Sequence, residues 1–192
     1  MRAEQPQSPD LSGVLLARHG QTNDNLEPIR VQGFTNTPLN DTGRRQAAEL
    51  GDGLVDVGIR SLFASDLSRA AETAEIVGAR IGLSPTLDPR LREANRGEWE
   101  GYQFIDVEKA DPEGYAAWRR AGESFRFPGG ESLRDQLNRV LACLVEIHAK
   151  TELPALVVCH GGSIRVMLCS RDPRGLDAFH EFKVPNTAVI EL

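Results

Sequence analysis

The chain has 192 residues, of which 40% are hydrophobic and 26% charged, and it carries a formal net charge of −6. That size suits one domain, or one domain with a small cap, and the composition excludes a disordered or fibrous class. The negative balance gives no global basic field for nucleic acid or anionic lipid, and the longest apolar runs fall far short of the roughly 20 residues that span a bilayer. Met1–Asp10 is polar and proline-spotted, unlike the apolar stretch of a secretory leader, so residues 1–12 are expected to be a flexible leader before one domain over 13–192. Cys143, Cys159 and Cys169 are odd in number and lie in apolar stretches, which suits buried thiols and a cytoplasmic location. Only three of the 22 basic residues are lysines, a bias that composition alone explains.

Val14–Ala17 is a short apolar run of the kind that forms a buried strand, stopped by Arg18-His19-Gly20. Asp41 or Thr42 can cap a helix that runs to about Val57 with Ala47, Leu50 and Leu54 on one stripe. Ser61–Ala64 reads as a second strand. Leu67 to Ile81 follows as a helix ended by Gly82, and Pro85–Leu87 as an edge strand. Arg90–Gly101 holds too many charges and glycines for a regular element. Asp106 to Ala121 is weakly helical, Pro128-Gly129-Gly130 is a break, and Glu131–Lys150 is an amphipathic helix. Ala155–Cys159 is the most apolar strand. A helix from Gly162 to about Cys169, a short helix starting at Asp172-Pro173 and a strand over Val184 to Leu192 close the chain. This alternation predicts an α/β fold: a three-layer α/β/α sandwich around a mostly parallel sheet.

In such sheets ligands bind beyond the carboxyl ends of the strands. Three apolar runs here end in polar clusters: Arg18-His19-Gly20-Gln21-Thr22, Ser65-Asp66-Leu67-Ser68-Arg69 and His160-Gly161-Gly162. Parallel strands would bring two histidines and two arginines to one edge, and the helix opening after His160 would add free amides. Taken singly, each histidine reads as a satisfied structural residue and each arginine as a surface ion-pair residue. Jointly they describe a pocket for phosphate or carboxylate. The arginines would repel a metal ion, and the spacing lacks a ligand set. Glu93 can bring an acid to the rim, although Glu98 and Glu100 have equal claim on position alone.

Arg18-His19-Gly20-Gln21-Thr22 with Asn25 resembles the opening motif of the histidine phosphatase superfamily, the phosphoglycerate-mutase-like proteins. Gly33, Thr37-Pro38-Leu39, Gly43 and Gln46-Ala47 are similar to its next block. Ala64–Ala70 with Thr73-Ala74 is similar to its second arginine motif, and Leu91-Arg92-Glu93 with Gly97 and Trp99-Glu100-Gly101 to its acid-bearing loop. Pro128–Ser132, then His160-Gly161-Gly162 with Ile164-Arg165, and finally Asn186 complete the order from Val14 to Leu192.

The resemblance implies a phosphoglycerate mutase-like fold and a covalent phosphoryl transfer. His19 would be the nucleophile, while Arg18, Arg69 and His160 would surround the phosphoryl oxygens. Gln21, Thr22, Asn25, Gln32, Gly33, Gly161 and Gly162 would complete the phosphate and substrate site. Glu93 would act as acid and then base, a role expected to need a carboxyl pKa pushed upward by a dry pocket. No metal and no cofactor is implied. Tyr102–Phe127 is too short for the basic insertion of the mutases and reads as a lid, and Gln21-Thr22 stands where mutases usually carry Glu-Ser. Both departures favour a phosphatase of a small phosphorylated metabolite (a phosphorylated sugar, a phosphoglycerate derivative or a nucleoside-like monophosphate) over a phosphoglycerate mutase. An intact set of site residues disfavours a non-catalytic phospho-ligand sensor. The expected partner is a small-molecule phosphate ester, with neither nucleic acid nor membrane; family members are often homodimers. Arg119, Arg120 and Arg126, and the aromatics Phe104, Tyr115, Trp118, Phe125 and Phe127, read first as surface charge and packing of the lid.

Overall fold

The computed structural model describes residues 9–120 and 122–192. Its strands are β1 (Val14–Arg18), β2 (Ser61–Ala64), β3 (Thr86–Leu87), β4 (Ala155–Cys159) and β5 (Val189–Glu191). They form one sheet in the order β3-β2-β4-β1-β5, in which only β5 runs antiparallel. The most apolar run, β4, is central and wholly buried, as its composition requires.

Alternation along the strands separates two cores. Leu62, Ala64, Leu156 and Val158 face the layer built by α1 (Asp41–Leu54) and α2 (Ser68–Ile81). Ala155, Val157 and Cys159 face the opposite layer, built by α5 (Leu133–Lys150) and α6 (Gly161–Cys169). The predicted α/β/α sandwich is therefore the fold. Leu137, Val140, Leu144 and Ile147 form the buried stripe of α5, and truncating one such leucine to alanine typically costs about 2–5 kcal/mol. Ser132 caps α5, accepting from the Asp135 amide at 3.0 Å while Asp135 accepts from the Ser132 amide at 3.1 Å.

Several boundaries differ from the sequence reading. The cap of α1 is Asn40, whose side chain accepts from the Gly43 amide at 2.8 Å; Asp41 is already helical. That helix stops at Leu54, its last buried residue, because Val55 and Val57 face solvent. The weak helix expected over Asp106–Ala121 is two helices, α3 (Phe104–Ala110) and α4 (Pro112–Arg120), and Ala121 lies outside the described residues. Pro112 lacks the amide that would continue α3 and pushes Asp111 out of helical geometry, while Asp111 accepts from the Gly114 amide at 2.9 Å. The expected closing strand shrinks to Val189–Glu191, because Val184 to Asn186 make other contacts near β1. Only a 3₁₀ turn, Gly175–Ala178, follows Asp172-Pro173. Residues 1–8 of the expected leader lie outside the described residues, whereas Leu11 is buried in the core. No helix among the described residues is long and apolar enough to cross a membrane.

Candidate active site

The carboxyl ends of β1, β2 and β4 open into one cavity of about 400 Å³. Parallel register sets Arg18 beside Cys159, so His19 and His160, the next residue on each strand, come together with ring centroids 5.2 Å apart. His19 donates its Nδ1 proton to the Gly20 carbonyl at 2.7 Å, which leaves Nε2 with its lone pair. Gly20 also packs against the start of α1, where a Cβ would collide with the Gly43 carbonyl oxygen. Burial, followed by the charges of Arg69 and Arg18, holds the His19 pKa well below its ordinary value. The ring is therefore neutral.

Arg18 donates to the Val184 carbonyl, and Arg69 to the Thr35 and Gly33 carbonyls, so both guanidiniums are fixed by backbone and not by carboxylates. Their Nε atoms, and Nδ1 of His160, are buried without a partner among the described residues. Burial pulls both arginines down to about 10. His160 is held well below its ordinary value by burial and then by Arg69, with Nε2 lying 2.9 Å from Ser65 Oγ. Two unpartnered guanidinium Nε–H groups, and His160 Nδ1, which carries the ring proton when Nε2 accepts from the Ser65 hydroxyl, make a cradle for a small anion beside the neutral His19 imidazole, because each would otherwise remain unsatisfied.

Glu93 is the acid placed at this site. Its carboxylate accepts from the Ala94 amide, from Gln136 Nε2 and from the Gly162 amide, each at 2.9 Å. Burial opposes the charged form, but Arg96 at 3.8 Å and these hydrogen bonds outweigh it and lower the Glu93 pKa to about 2. The upward shift expected from a dry pocket is thus reversed, since three donors and a guanidinium surround the carboxylate. Glu100 has a structural task instead: it accepts from the amides of Phe34, Thr35 and Arg96 and holds that loop. Glu98 does not line the cavity.

Asn25, Gln32, Gly33 and Gly161 line the cavity together with Arg18, His19, Arg69 and Glu93. Asn25 Oδ1 accepts from the Thr22 amide and from Asn186 Nδ2, which leaves its own amide nitrogen for a ligand. Gln21 and Thr22 stand apart. Gln21 Oε1 accepts from Asn40 Nδ2, and Thr22 is fully buried with its hydroxyl on Gln32. The Gly162 amide also lines the wall, but it is committed to Glu93 and not open to a phosphate.

Sequence reasoning missed Gln136, Arg96 and Arg139. Gln136 is fully buried on the apolar stripe of α5, and that polar interruption was the available signal. Arg139 donates to the carbonyls of Arg90, Arg92 and Glu93 and so fixes the acid loop. Phe104, Trp118 and Arg119, read first as lid packing and surface charge, line the cavity, whereas Phe125 and Phe127 pack in the core and Arg126 pairs with Asp135.

This fold and this site define a phosphate-handling α/β protein with a histidine at its centre. The chain belongs to the histidine phosphatase superfamily (branch 1), which it matches over residues 14–192. It is 39% identical over 156 residues to the probable phosphoglycerate mutase GpmB of Salmonella paratyphi B, spanning 77% of this chain and 69% of that one. Bacillus stearothermophilus YhfR superposes with a TM-score of 0.84 at 30% identity, covering 93% of this chain and 90% of that one. A mycobacterial glucosyl-3-phosphoglycerate phosphatase in complex with VO3 gives a TM-score of 0.81 at 30% identity, covering 92% and 90%.

Proposed function

We propose that this protein is a phosphomonoesterase that acts on a small phosphorylated metabolite through a phosphohistidine on His19. The observation that carries the reading is the fixed Nδ1–H of His19, which frees Nε2 for attack, set among three buried donors without partners. Nε2 attacks phosphorus while the bond to the ester oxygen breaks. Arg18 Nε, Arg69 Nε and His160 Nδ1 hold the non-bridging oxygens as charge redistributes.

Protonation follows from the state of Glu93. The Glu93 carboxylate is ionised at neutral pH, so the proton arrives with the monoanionic ester, and it passes to Glu93 because two adjacent negative groups cannot both stay ionised there. Glu93 then gives this proton to the departing alkoxide. In the second half it takes a proton from water, the hydroxide attacks phosphorus, the P–N bond breaks, and phosphate leaves with the proton that Glu93 returns to it, which restores the carboxylate. The arginines neutralise the phosphoryl group, so no metal is needed.

A mutase would return the phosphoryl group to a second hydroxyl, and the name of the Salmonella relative keeps that reading in view. Phosphate release from a panel of phosphorylated metabolites in EDTA, run beside 3-phosphoglycerate to 2-phosphoglycerate conversion, separates the two. Metal-free release is expected. Isomer conversion without release would replace the phosphatase by a mutase, and silence in both would favour a sensor.

A further inference from the structure

Gln136 occupies a position that packing alone would fill with carbon. It lies on the buried stripe of α5 with Leu133, Leu137, Val140 and Leu144, and it is fully buried itself. Its carbonyl oxygen, Oε1, is buried without a partner among the described residues. An unpaired buried acceptor costs free energy that a leucine or methionine there would avoid. The other end of the amide is fully used. Nε2 donates to Glu93 Oε1 at 2.9 Å and to Ser163 Oγ at 3.2 Å. Ser163 in turn donates to the Arg92 carbonyl at 3.0 Å, which ties the amide to the acid loop.

The donors around Glu93 are divided unequally between its two oxygens. Oε1 accepts from the Ala94 amide and from Gln136, so both of its lone pairs are taken. Oε2 accepts from the Gly162 amide alone, since Arg96 stands at 3.8 Å, beyond hydrogen-bond length. Gly162 and Arg96 line the cavity, whereas Gln136 and Ala94 do not. The open lone pair is therefore on the cavity side. A proton on Oε2 leaves each of these three donors paired. A proton on Oε1 would set an O–H against an N–H and leave one donor without its acceptor.

We infer that Gln136 is a positioning residue for proton transfer, one that closes Glu93 Oε1 and so confines the travelling proton to Oε2. This rests on the phosphatase reading above and adds which oxygen of the acid carries the proton. The ester proton moves to Oε2 and from there to the departing oxygen, which keeps the electron pair of the broken P–O bond.

Gln136→Met tests it, because methionine keeps the length and suits the apolar stripe while removing the N–H. The other groups that face Glu93 stay in place: Arg96 on its own loop, Arg18 and His19 at the end of β1, Arg69 on α2, Cys159 on β4 and Arg165 on α6. Carbon-13 NMR of labelled glutamate reads the carboxyl directly, with the Glu93 signal assigned by its loss in Glu93→Gln. Removing one donor to a charged group should raise the Glu93 midpoint by about one to two pH units. In parallel, kcat/KM is measured for p-nitrophenyl phosphate and for the best-cleaved alkyl ester among 3-phosphoglycerate, glycerol 3-phosphate and ribose 5-phosphate. The alkyl ester should slow by about tenfold or more and p-nitrophenyl phosphate by less than about threefold, because only the alkyl leaving group depends on a well-placed proton.

Equal slowing of both esters, or an unmoved midpoint, overturns the inference and leaves the phosphatase reading standing. Where the wild type cleaves no alkyl ester the midpoint alone decides, and where it cleaves no ester at all the phosphatase reading falls as well. If circular dichroism shows Gln136→Met unfolded, Gln136→Glu takes its place. Two adjoining buried carboxyls must then share one proton, so one midpoint should rise above about pH 6. Two ordinary midpoints in that variant overturn the inference.

Discussion

Acidification separates two opposite accounts of Glu93. Its folded pKa of about 2 lies below the ordinary 4.5, so the ionised carboxylate stabilises the fold fully above about pH 4.5 and progressively less as pH falls toward 2. At pH 3 the loss amounts to roughly 2 kcal/mol. Glu93→Gln removes this titration. It also turns an NH2 toward an amide donor, either Gly162 or the Ala94–Gln136 pair, but that penalty is the same at every pH. Urea unfolding between about pH 6 and about pH 3 should therefore show the wild type losing roughly 2 kcal/mol more than the variant. Parallel profiles would refute the low pKa. A wild type that gains on the variant as pH falls would show a raised pKa, the value expected from a dry pocket alone.

Glu93→Gln should also slow esters with poor leaving groups far more than p-nitrophenyl phosphate, whose leaving group needs little protonation; equal slowing would move the acid role elsewhere. Because the proton enters with the monoanionic ester, kcat/KM should fall as pH rises above about 6, the second phosphate pKa; a profile flat to pH 8 would contradict that route. In Gly162→Ala the new Cβ would meet Glu93 Oε1 at 2.1 Å, so turnover should drop about tenfold or more with helix content unchanged by circular dichroism. Arg139→Met strips three carbonyls of the acid loop of their donor and should cost about 3 kcal/mol in urea unfolding as well as lowering kcat. Unchanged stability in that variant would deny Arg139 its clamping role.

Much of the site was legible because its residues end apolar runs. Val14–Ala17 and Ala155–Cys159 are buried strands in parallel register, so the residues just beyond them must meet at one edge. Their chemistry could be read before any coordinate. Glu93 was harder, because an irregular loop is placed by tertiary contacts: Arg139, 46 residues further on, holds the Glu93 carbonyl. The direction of its pKa depends on how many donors the fold aims at it, which no local pattern states. Trp118 read as lid packing and Arg96 was not singled out for the same reason, since only the fold brings α4 and the acid loop to a shared cavity. Pro112, by contrast, was a local signal that a single weak helix reading passed over.

The covalent step is the claim on which the rest depends, and it is read by trapping. Wild-type protein mixed with p-nitrophenyl phosphate in EDTA, quenched in alkali and analysed by peptide mass spectrometry should carry one phosphoryl group on His19. His19→Ala should fold, bind phosphate and neither label nor turn over. Turnover retained in His19→Ala, or rapid turnover by the wild type with no phosphohistidine trapped at any time, would contradict the mechanism.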